Sequence, residues 1–504
     1  MEIKIRSRYV REQQRYTKNQ LRTLFSYDDV GVEKFIKSLK SYGILKTVAN
    51  TAEQKELTDL VDEDVQVVDE TAGNDDCYYV FTYVGVITIG NRVIKVYPKY
   101  ILSENEPLAR MKQVVKVLER YSHSEEQIIN LFNGDGDNRS FNILAVILYL
   151  LNDYYEYGVY NNSEDILEVN GEGDILWNRT IDDGFALIEE GRPYYTELIT
   201  HRSVEDDMDY FKRLHECVLT ECSKQLQDAG LEELFEIDSV SLSDEALEDF
   251  GEKEYILERI MKELNVQFNT HRQILLKTLY TYISQDRKML EENQGISMFG
   301  TTAFHAVWEK AYAAAFGNKL DVAIGQLQMK EPLADGYNKK TKLIDLVEKP
   351  KWCGEGFVHE PKDTLIPDLI TINEYSGQDW FIIFDAKYYL IQLILGIKND
   401  AKYYLIQLEK GRTLRGNPGV GDVVKQYMYQ LAYKKFLADH HIAVVKNCFL
   451  MPTEGNEIIN KGNAKLDMLS ELGLEDIQIR LIPADMLFDC YLSRKKIAIE
   501  KLEL

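Results

Sequence analysis

PKDTLIPDLITINEYSGQDWFIIFDAKYY, residues 361–389, contains two apolar segments separated by a short polar turn. LIPDLITI is typical of a strand, YSGQD of a turn, and WFIIF of a buried strand that runs into Asp385-Ala386-Lys387. Two adjacent strands joined by a tight turn bring their facing ends together. We therefore expect Asp368, at the start of the first strand, to lie near Asp385 and Lys387 at the end of the second.

This combination of side chains suits the cleavage of a phosphodiester bond. Such a reaction must neutralise charge on the scissile phosphate and supply hydroxide, and two carboxylates can hold a divalent ion that does both. Hard carboxylate oxygens suit Mg²⁺, with Mn²⁺ as an alternative ion. Because residues two apart on a strand point to the same side, Asp385 and Lys387 face one site, where the ammonium orients the attacking water. The carbonyl of Ala386 is a further candidate metal ligand.

Two helices offer residues to the same site. TTAFHAVWEKAYAAAF, residues 301–316, predicts a helix that carries Glu309. An acidic residue on the preceding helix commonly completes a metal site of this kind, although a solvated helix charge is the alternative. GDVVKQYMYQLAYKKF predicts an amphipathic helix capped by Asp422. It offers three accessory candidates, each also compatible with a structural role: Gln426, Tyr429 and Gln430.

The nine residues DAKYYLIQL occur twice, at 385–393 and again at 400–408. If the first copy acts, WFIIF remains the strand beneath it and the extra residues protrude after the site. If the second copy acts, LILGI must replace WFIIF, and a Lys-Asn pair interrupts the approach. The intact apolar strand favours the first copy and leaves Asp400 and Lys402 as the duplicate alternative. The insertion also leaves open whether activity survives.

Length and composition indicate a soluble protein of several domains. The chain has 504 residues, 45% of them hydrophobic and 28% charged, which is too long for one ordinary core. The N-terminus is charged at once and six cysteines form no disulfide framework, so we expect a cytoplasmic protein without a signal peptide. The longest apolar run, near residues 143–151, is too short to cross a bilayer and predicts a buried helix, with no membrane partner.

The N-terminal segment differs from the rest in charge. Net charge is −24, yet residues 1–46 hold eleven Lys or Arg against five acidic residues. Thr17 and either Asp28 or Asp29 are candidate caps of two short helices, the second with apolar residues at helical spacing. Gly43 stops that helix, and ILKTV predicts a strand. This order is that of a winged helix, which reads a DNA groove or serves as a protein contact. Six cations are candidate DNA contacts: Arg6, Arg8, Arg11, Arg15, Lys34 and Lys37.

Periodicity and composition predict an α+β chain with four regions. They are a basic winged-helix-like module (1–50), a β-rich domain with the buried helix (51–204), a helical connector (205–292) and a C-terminal α/β domain (293–504). Hairpins are predicted to turn at Gly90 and Asn91, and again between Asn170 and Gly173.

Several segments together resemble the LlaJI-type restriction endonuclease family, which is related to McrC. They are PD…FDAKYY, FHAVWE, RGNPGVGDVVKQYMYQLAY, YVGVITIGNRVIKVYPKY, GDILWNRTI and GRPYYTEL, and they cover most of residues 78–450. The resemblance implies a β-rich McrC-like domain and a C-terminal PD-(D/E)xK nuclease domain. Asp368, Asp385 and Lys387 match the nuclease motif, and Glu309 matches the upstream helical acid.

The same resemblance implies partners. Family members of this type are nuclease subunits that cut double-stranded DNA together with a separate McrB-like AAA+ NTPase, at sites that a partner cytosine-5 methyltransferase protects. The sequence contains no G-x-x-x-x-G-K-[ST], so we expect NTP to be used only through the partner. Three hypotheses stay open: a Mg²⁺-dependent endodeoxyribonuclease subunit, a catalytically impaired assembly factor that stimulates the NTPase, and a DNA-binding regulator.

Overall fold

The computed structural model describes most of the chain. The described residues are 5–49, 77–124, 142–161, 164–171, 173–189, 191–204, 210–285, 289–290, 296–354, 356–361, 364–375, 377–388, 392–394, 413–415 and 418–504. The chain forms two compact units, each built from several segments. Unit one comprises Met1–Ile5, Thr88–Asn91 and Asn138–Ser297, and unit two comprises Arg6–Ile87, Arg92–Asp137 and Met298–Leu504. Each unit combines segments from more than one predicted region, and the four-region division stays a prediction.

Unit two begins with two helices flanked by short strands. These elements are β1 (Arg6–Arg11), β2 (Arg15–Tyr16), α1 (Lys18–Phe25), α2 (Asp29–Ser41), β3 (Leu45–Ala49) and β4 (Cys77–Phe81). Strands β2 and β3 both pair antiparallel with β4, which gives a three-stranded sheet beside the helix pair. The predicted order of helix, turn, helix and strand is confirmed, while the winged-helix assignment stays a prediction.

Both helices start at the predicted caps. The Thr17 hydroxyl accepts the Gln20 N–H at 3.2 Å, and the Gln20 side chain accepts the Thr17 N–H at 2.8 Å. Asp28 accepts the N–H of Gly31 at 2.6 Å. Gly43, which follows α2, has φ +67°, a left-handed conformation that favours glycine. The apolar positions of α2 are buried, as helical spacing requires: Val32, Phe35, Ile36 and Leu39.

The next strands form the predicted hairpin. Its elements and the two helices that follow are β5 (Val84–Ile89), β6 (Arg92–Tyr97), α3 (Leu108–Ser124) and α4 (Ile143–Tyr157). Gly90 has φ +55°, which confirms the turn at this position. Helix α4 lies in unit one and buries nearly all of its first nine residues, so the predicted buried helix is also confirmed.

A second predicted hairpin is wrong. The elements here are β7 (Glu164–Val169), β8 (Asp174–Ile175), α5 (Trp177–Asp183), β9 (Ala186–Glu189), β10 (Arg192–Tyr195) and β11 (Ile199–Val204). Strands β7 and β8 do not pair with each other, because β11 lies between them and pairs with both. The Asn170 side chain donates to the Thr196 carbonyl at 3.2 Å and accepts the Leu198 N–H at 2.8 Å. The turn at Asn170 is thereby tied to the start of β11.

Four helices complete unit one. They are α6 (Tyr210–Asp228), α7 (Glu232–Phe235), α8 (Lys253–Val266) and α9 (Thr270–Gln285). Most of the described residues between 210 and 285 are helical, as the sequence predicted for this segment. In the part of the chain that the structure describes, no helix is both long and apolar enough to span a bilayer.

The C-terminal part of unit two alternates strands and helices, as predicted. Its elements are β12 (Ser297–Thr301), α10 (Phe304–Phe316), β13 (Trp352–Gly354), β14 (Phe357–His359), β15 (Leu369–Tyr375), β16 (Gln378–Ala386), β17 (Gln392–Ile394), β18 (Thr413–Arg415), α11 (Val420–Asp439), β19 (Val444–Thr453), β20 (Ile459–Ala464), β21 (Ile477–Pro483) and α12 (Ala484–Ser493). Five strands form one sheet in the order β15-β16-β19-β21-β20. Its central strands β16, β19 and β21 are parallel, and the two edge strands are antiparallel to their neighbours.

Helices cover this sheet on both faces. Tyr433 of α11 packs against Phe381 of β16, with ring centroids 5.2 Å apart. On the opposite face, Phe316 of α10 lies 5.5 Å from Phe384 of the same strand. Because successive strand residues point to opposite faces, a strand covered on both sides is a continuous apolar run, which explains the sequence WFIIF.

A second sheet in unit two joins strands that are distant in sequence. Its order is β1-β6-β5-β12, so the N-terminal strand and the strand before α10 share one sheet with the hairpin. Gly85 and Gly300 meet where β5 and β12 approach, and a Cβ on Gly85 would lie 2.1 Å from the Phe299 carbonyl oxygen. Glycine is therefore required at this close backbone contact.

Candidate active site

The hairpin of β15 and β16 brings two aspartates together. Leu369 pairs with Phe384 in the antiparallel register, so Asp368 and Asp385 lie at the next pair of positions. Asp368 Oδ2 accepts the backbone N–H of Ala386 at 2.7 Å, and the two carboxyl groups share a hydrogen bond. The structure thus places Asp368 beside Asp385, with both side chains at the end of the same hairpin.

Burial makes this pair electrostatically unfavourable as two charges. Asp385 is 3% exposed. Burial, followed by the hydrogen bond and charge of Asp368, raises the pKa of Asp385 well above its usual range. Burial also raises the pKa of Asp368, and the charge of Glu309 acts in the same direction. Two carboxyl groups in such surroundings cannot both ionise readily unless positive charge is supplied.

Lys387 supplies part of that charge. Its Nζ lies 3.1 Å from Oδ2 of Asp385 and 3.0 Å from Oδ1 of Asp422. Burial opposes the charged form of Lys387, but the charges of Asp385 and Asp422 outweigh it, and the pKa of Lys387 is raised above its usual range. The side chain is therefore an ammonium at neutral pH, suited to orienting an anion or a water rather than to accepting a proton.

Glu309 of α10 faces the same site. Burial raises the pKa of the Glu309 carboxyl, Asp385 raises it further, and Lys387 lowers it. These interactions place a third carboxylate within electrostatic reach of the aspartate pair. Sequence reasoning reached this residue because it lies on the helix that precedes the hairpin.

Asp422 is the residue that sequence reasoning missed as part of the site. It lies in the first turn of α11, where Oδ2 accepts the N–H of Gly419 at 3.2 Å. Its other oxygen contacts Lys387. The sequence predicted that Asp422 caps this helix, but the helix begins at Val420 with Gly419 as its N-cap, and Asp422 satisfies the Gly419 N–H from the first turn. No local pattern indicates which distant cation such a residue meets.

The three accessory candidates have different places. Gln426 is fully buried and its Nε2 donates to the Ile383 carbonyl at 3.3 Å. The Tyr429 hydroxyl donates to the Ile366 carbonyl at 3.0 Å, and burial, with Asp385 and Asp368 acting in the same direction, raises its pKa to about 12. Both side chains brace the backbone that carries the aspartates.

Gln430 is bound elsewhere. Its side chain donates to the Glu475 carbonyl at 2.9 Å and accepts the Glu475 N–H at 3.0 Å. This pair of bonds gives Gln430 a structural role in holding the segment before β21.

The remaining candidates are separate from this site or outside the described residues. Asp400 and Lys402 of the second copy fall outside the described residues. The Arg6 guanidinium donates to the Ser26 carbonyl at 2.8 Å, Arg11 is half-buried, and burial lowers the pKa of Arg15. Three of the six proposed DNA contacts are exposed: Arg8, Lys34 and Lys37.

The donor chemistry of the aspartate pair fits a hard divalent cation. Among the described residues, no group of three or more Asp, Glu, His or Cys side chains lies close enough together to hold a metal ion. Asp368 and Asp385 are nevertheless in hydrogen-bond contact, and Glu309 acts on the pair through its charge. A carboxylate pair with raised pKa values is the type of site that a cation ionises and binds.

The fold and this site define a multidomain α/β protein with a carboxylate pair and a lysine at the end of a strand hairpin. The LlaJI restriction endonuclease family model matches residues 83–399 and 393–488. The chain belongs to the LlaJI restriction endonuclease family. Each of the two matches contains one copy of DAKYYLIQL.

Known proteins extend this comparison. The chain is 26% identical over 431 residues to the type II restriction enzyme BsuMI component YdjA of Bacillus subtilis strain 168, covering 84% of this chain and 83% of the relative. It is also similar, at 12% identity, to a chain in a half-complex of Thermococcus gammatolerans McrB AAA+ hexamers with bound McrC. That likeness has a TM-score of 0.35 and covers 97% of this chain and 99% of the other.

A second solved structure, the Thermococcus gammatolerans McrBC complex, has a chain similar to this one over 60% of this chain and 85% of the other. Its identity is 12% and its TM-score is 0.24.

Proposed function

We propose that this protein is the DNA-cleaving subunit of a restriction system and that it hydrolyses phosphodiester bonds at the site of Asp368, Asp385 and Lys387. The supporting observation is the aspartate pair with raised pKa values, one member buried and the other half-buried, beside a fixed ammonium. Membership of a restriction endonuclease family supports DNA as the substrate. We assign the five-stranded sheet with α10 and α11 to a PD-(D/E)xK nuclease core.

In this proposal Asp368, Asp385 and the Ala386 carbonyl hold Mg²⁺, with Mn²⁺ as a substitute and Glu309 as an additional acidic residue. The bound cation supplies a water of lowered pKa and neutralises charge on the scissile phosphate. The Lys387 ammonium orients the attacking water, and Asp422 keeps that ammonium in place. Gln426 and Tyr429 hold the strand backbones, which keeps the two carboxyl groups aligned.

The first copy of the repeat is proposed to be the working copy. Its Asp385 follows an apolar strand that pairs with β15 on one side and β19 on the other. A strand held on both sides fixes the direction of Asp385.

DNA and protein partners complete the proposal. The basic N-terminal helix pair is assigned as a winged-helix-like module that contacts double-stranded DNA, with Arg8, Lys34 and Lys37 exposed for phosphate contacts. Because the sequence has no P-loop, NTP hydrolysis is assigned to a separate McrB-like AAA+ subunit. A cytosine-5 methyltransferase that protects the target sites is the expected genomic companion.

A matched pair of variants tests this function. Purified protein is combined with the NTPase partner, nucleotide, Mg²⁺ and unmodified DNA. Asp385→Ala is expected to abolish cleavage, whereas Asp400→Ala, in the same nine-residue sequence, is expected to cut like the wild type. Cleavage by Asp385→Ala at the wild-type rate rejects the proposed site.

Two other outcomes reject the proposed function itself. If the wild-type protein stimulates NTP hydrolysis without cutting DNA, it is an assembly factor rather than a nuclease. If it shifts DNA in a gel with strong salt dependence but neither cuts DNA nor stimulates the NTPase, it is a DNA-binding regulator.

A further inference from the structure

A buried carboxylate of the N-terminal strand region lies against the catalytic strand. Glu12 directly follows β1, is 7% exposed, and its backbone N–H donates to the Tyr97 carbonyl at 2.9 Å. The next residue, Gln13, donates its N–H to the Phe81 carbonyl at 2.9 Å. These bonds hold the Glu12 backbone between two strands, so its side chain projects from a rigid support.

The Glu12 carboxylate binds the residue next to Lys387. Its Oε2 accepts the Tyr388 hydroxyl at 2.7 Å and the backbone N–H of Lys99 at 3.1 Å. Tyr388 is itself 7% exposed, so its hydroxyl meets Glu12 away from bulk water. A buried hydroxyl without an acceptor is unfavourable, so Tyr388 depends on the Glu12 oxygen for its hydrogen bond.

Aromatic packing fixes the Tyr388 ring from the other sides. Its centroid lies 5.4 Å from that of Phe304 and 6.0 Å from that of Trp308. The Lys99 ammonium lies 4.4 Å from the ring centroid, which adds a cation–π contact. The ring is therefore held by apolar contacts, and Glu12 determines where its hydroxyl end lies.

Fixing Tyr388 also fixes the backbone of Lys387. The Lys387 N–H donates to the Leu450 carbonyl at 2.8 Å, so the peptide before Lys387 is held by β19. The residue after it is held by Glu12. Lysine has a long flexible side chain, and a stable position of its Nζ between two carboxylates requires a fixed main chain.

We propose that Glu12 is a positioning residue that acts through Tyr388 to hold Lys387 between Asp385 and Asp422. The part of this proposal that concerns DNA cleavage rests on the proposed function, whereas the position of Lys387 does not. In this proposal Glu12 acts through Tyr388 and not on the reacting groups. It links the turn that leads into the N-terminal helix pair to the strand that carries the site.

The hydrogen bond between Glu12 and Tyr388 also involves the repeated sequence DAKYYLIQL. Both copies of DAKYYLIQL carry a tyrosine after the lysine, at Tyr388 and Tyr403. One Glu12 carboxylate oxygen accepts the hydroxyl of Tyr388. Glu12 thus accepts a hydrogen bond from the tyrosine of the first copy, and the matched substitution at Tyr403 separates the two copies experimentally.

Chemical labelling tests the position of Lys387 without requiring activity. The full-length protein is acetylated briefly with acetic anhydride, and modification of Lys387 and Lys402 is followed by mass spectrometry. The two lysines are distinguished by the residue before each Asp-Ala-Lys, which is Phe384 in the first copy and Asn399 in the second. Lys402 serves as an internal reference of identical local sequence.

The expected results distinguish the effect of the Glu12–Tyr388 hydrogen bond from the effect of the apolar contacts of the Tyr388 ring. Tyr388→Phe keeps the ring but removes the hydroxyl, and Glu12→Ala removes the acceptor. Both are expected to raise the labelling rate of Lys387 severalfold relative to Lys402, because the ion-paired amine becomes accessible. Glu12→Gln keeps an acceptor oxygen and is expected to stay near the wild type. The matched control Tyr403→Phe is expected to leave Lys387 unchanged.

Cleavage gives a second readout on the same variants. Tyr388→Phe and Glu12→Ala are expected to lower the cleavage rate at saturating DNA by on the order of tenfold, the usual effect of removing an outer residue that orients a site. The DNA concentration for half-maximal rate is expected to stay unchanged, since neither residue belongs to the proposed DNA-binding surface. Glu12→Gln is expected to recover most of the rate.

Defined outcomes overturn the inference. If Tyr388→Phe and Glu12→Ala both fold and Lys387 is labelled at the wild-type rate in each, Glu12 does not position Lys387. An equal effect of Tyr403→Phe removes the distinction between the copies. If Tyr388→Phe does not fold, the difference between Glu12→Ala and Glu12→Gln decides the question. A wild-type protein that does not cut DNA refutes the proposed function, while the labelling result still decides the position of Lys387.

Discussion

Asp385 and Glu454 lie at the ends of two neighbouring parallel strands of one sheet, yet their surroundings are opposite. Glu454, after β19, accepts the N–H groups of Leu102 and Ser103 at 3.0 Å and is ion-paired with Arg110. Burial opposes its charge, but these partners outweigh burial and lower the pKa of Glu454. Burial instead raises the pKa of Asp385.

The difference distinguishes a structural carboxylate from a functional one. The partners of Glu454 satisfy its charge, so it joins β19 to the segment before α3. Asp385 has a second, half-buried carboxyl beside it and shares Lys387 with Asp422. Perturbed carboxylates that lack compensation are typical of sites that bind a cation or exchange a proton. Four predictions test this contrast.

The largest expected effect is on catalysis. Asp385→Asn keeps the side-chain volume but removes the negative charge, and we expect cleavage to fall by at least about 10³-fold, since metal-assisted charge stabilisation contributes several kcal/mol. Glu454→Gln is expected to stay within about threefold of the wild-type rate, because removing a distant anchor acts on stability instead. Single-turnover cleavage assays measure both. Equal losses in the two variants would contradict the contrast.

The next largest effect is on stability, and here the Glu454 variant is expected to lose more than the Asp385 variant. Glu454→Ala removes the half-buried acceptor of the Leu102 and Ser103 N–H groups and one partner of Arg110, and we expect a loss of about 1–3 kcal/mol in the free energy of unfolding. Asp385→Asn is expected to be neutral or stabilising in the absence of metal, because it removes an unfavourable charge. Chemical denaturation of the two variants measures this. A large loss for Asp385→Asn would show that Asp385 is structural.

The effect of Mg²⁺ binding on the stability of the folded protein is expected to be smaller. At a free Mg²⁺ concentration ten times the dissociation constant, one site stabilises the folded protein by about 1.4 kcal/mol. We expect the wild type and Glu454→Gln to show a rise in melting temperature with Mg²⁺, and Asp385→Asn to show none. A rise of the same size in all three proteins would place the ion elsewhere.

The smallest effect is the pH dependence of stability, which has opposite signs at the two residues. The pKa of Asp385 is raised in the folded state, so its stabilising contribution is present below its unfolded value of 3.8 and is lost as pH rises through the raised pKa. Asp385→Asn should therefore gain stability relative to the wild type as pH increases from that value.

For Glu454 the pKa is lowered, so its contribution is present above the unfolded value of 4.5 and is lost as pH falls through the lowered pKa. The deficit of Glu454→Gln should shrink in acid. Metal-free thermal melts at several pH values measure both trends. Parallel curves for the two variants would show that the carboxyl groups titrate alike.

Local patterns predicted most of what lies within single segments. Thr17 and Asp28 cap helices where turn chemistry placed them, and Gly90 turns the first hairpin. Asp368 and Asp385 meet because a tight turn between two short strands leaves one pairing for their ends. The hairpin between Asn170 and Gly173 was wrong because the insertion of β11 between β7 and β8 has no local signature.

The sequence by itself determined the hairpin, its two aspartates, the lysine that follows and the caps of the N-terminal helices. Strand alternation, turn residues and capping act over a few positions, so neighbouring residues specify them. Only the tertiary structure decided that Asp422 meets Lys387 and that Glu12 meets Tyr388 across 376 positions. Such contacts depend on how separate elements pack, and a charged residue carries no mark of its distant partner.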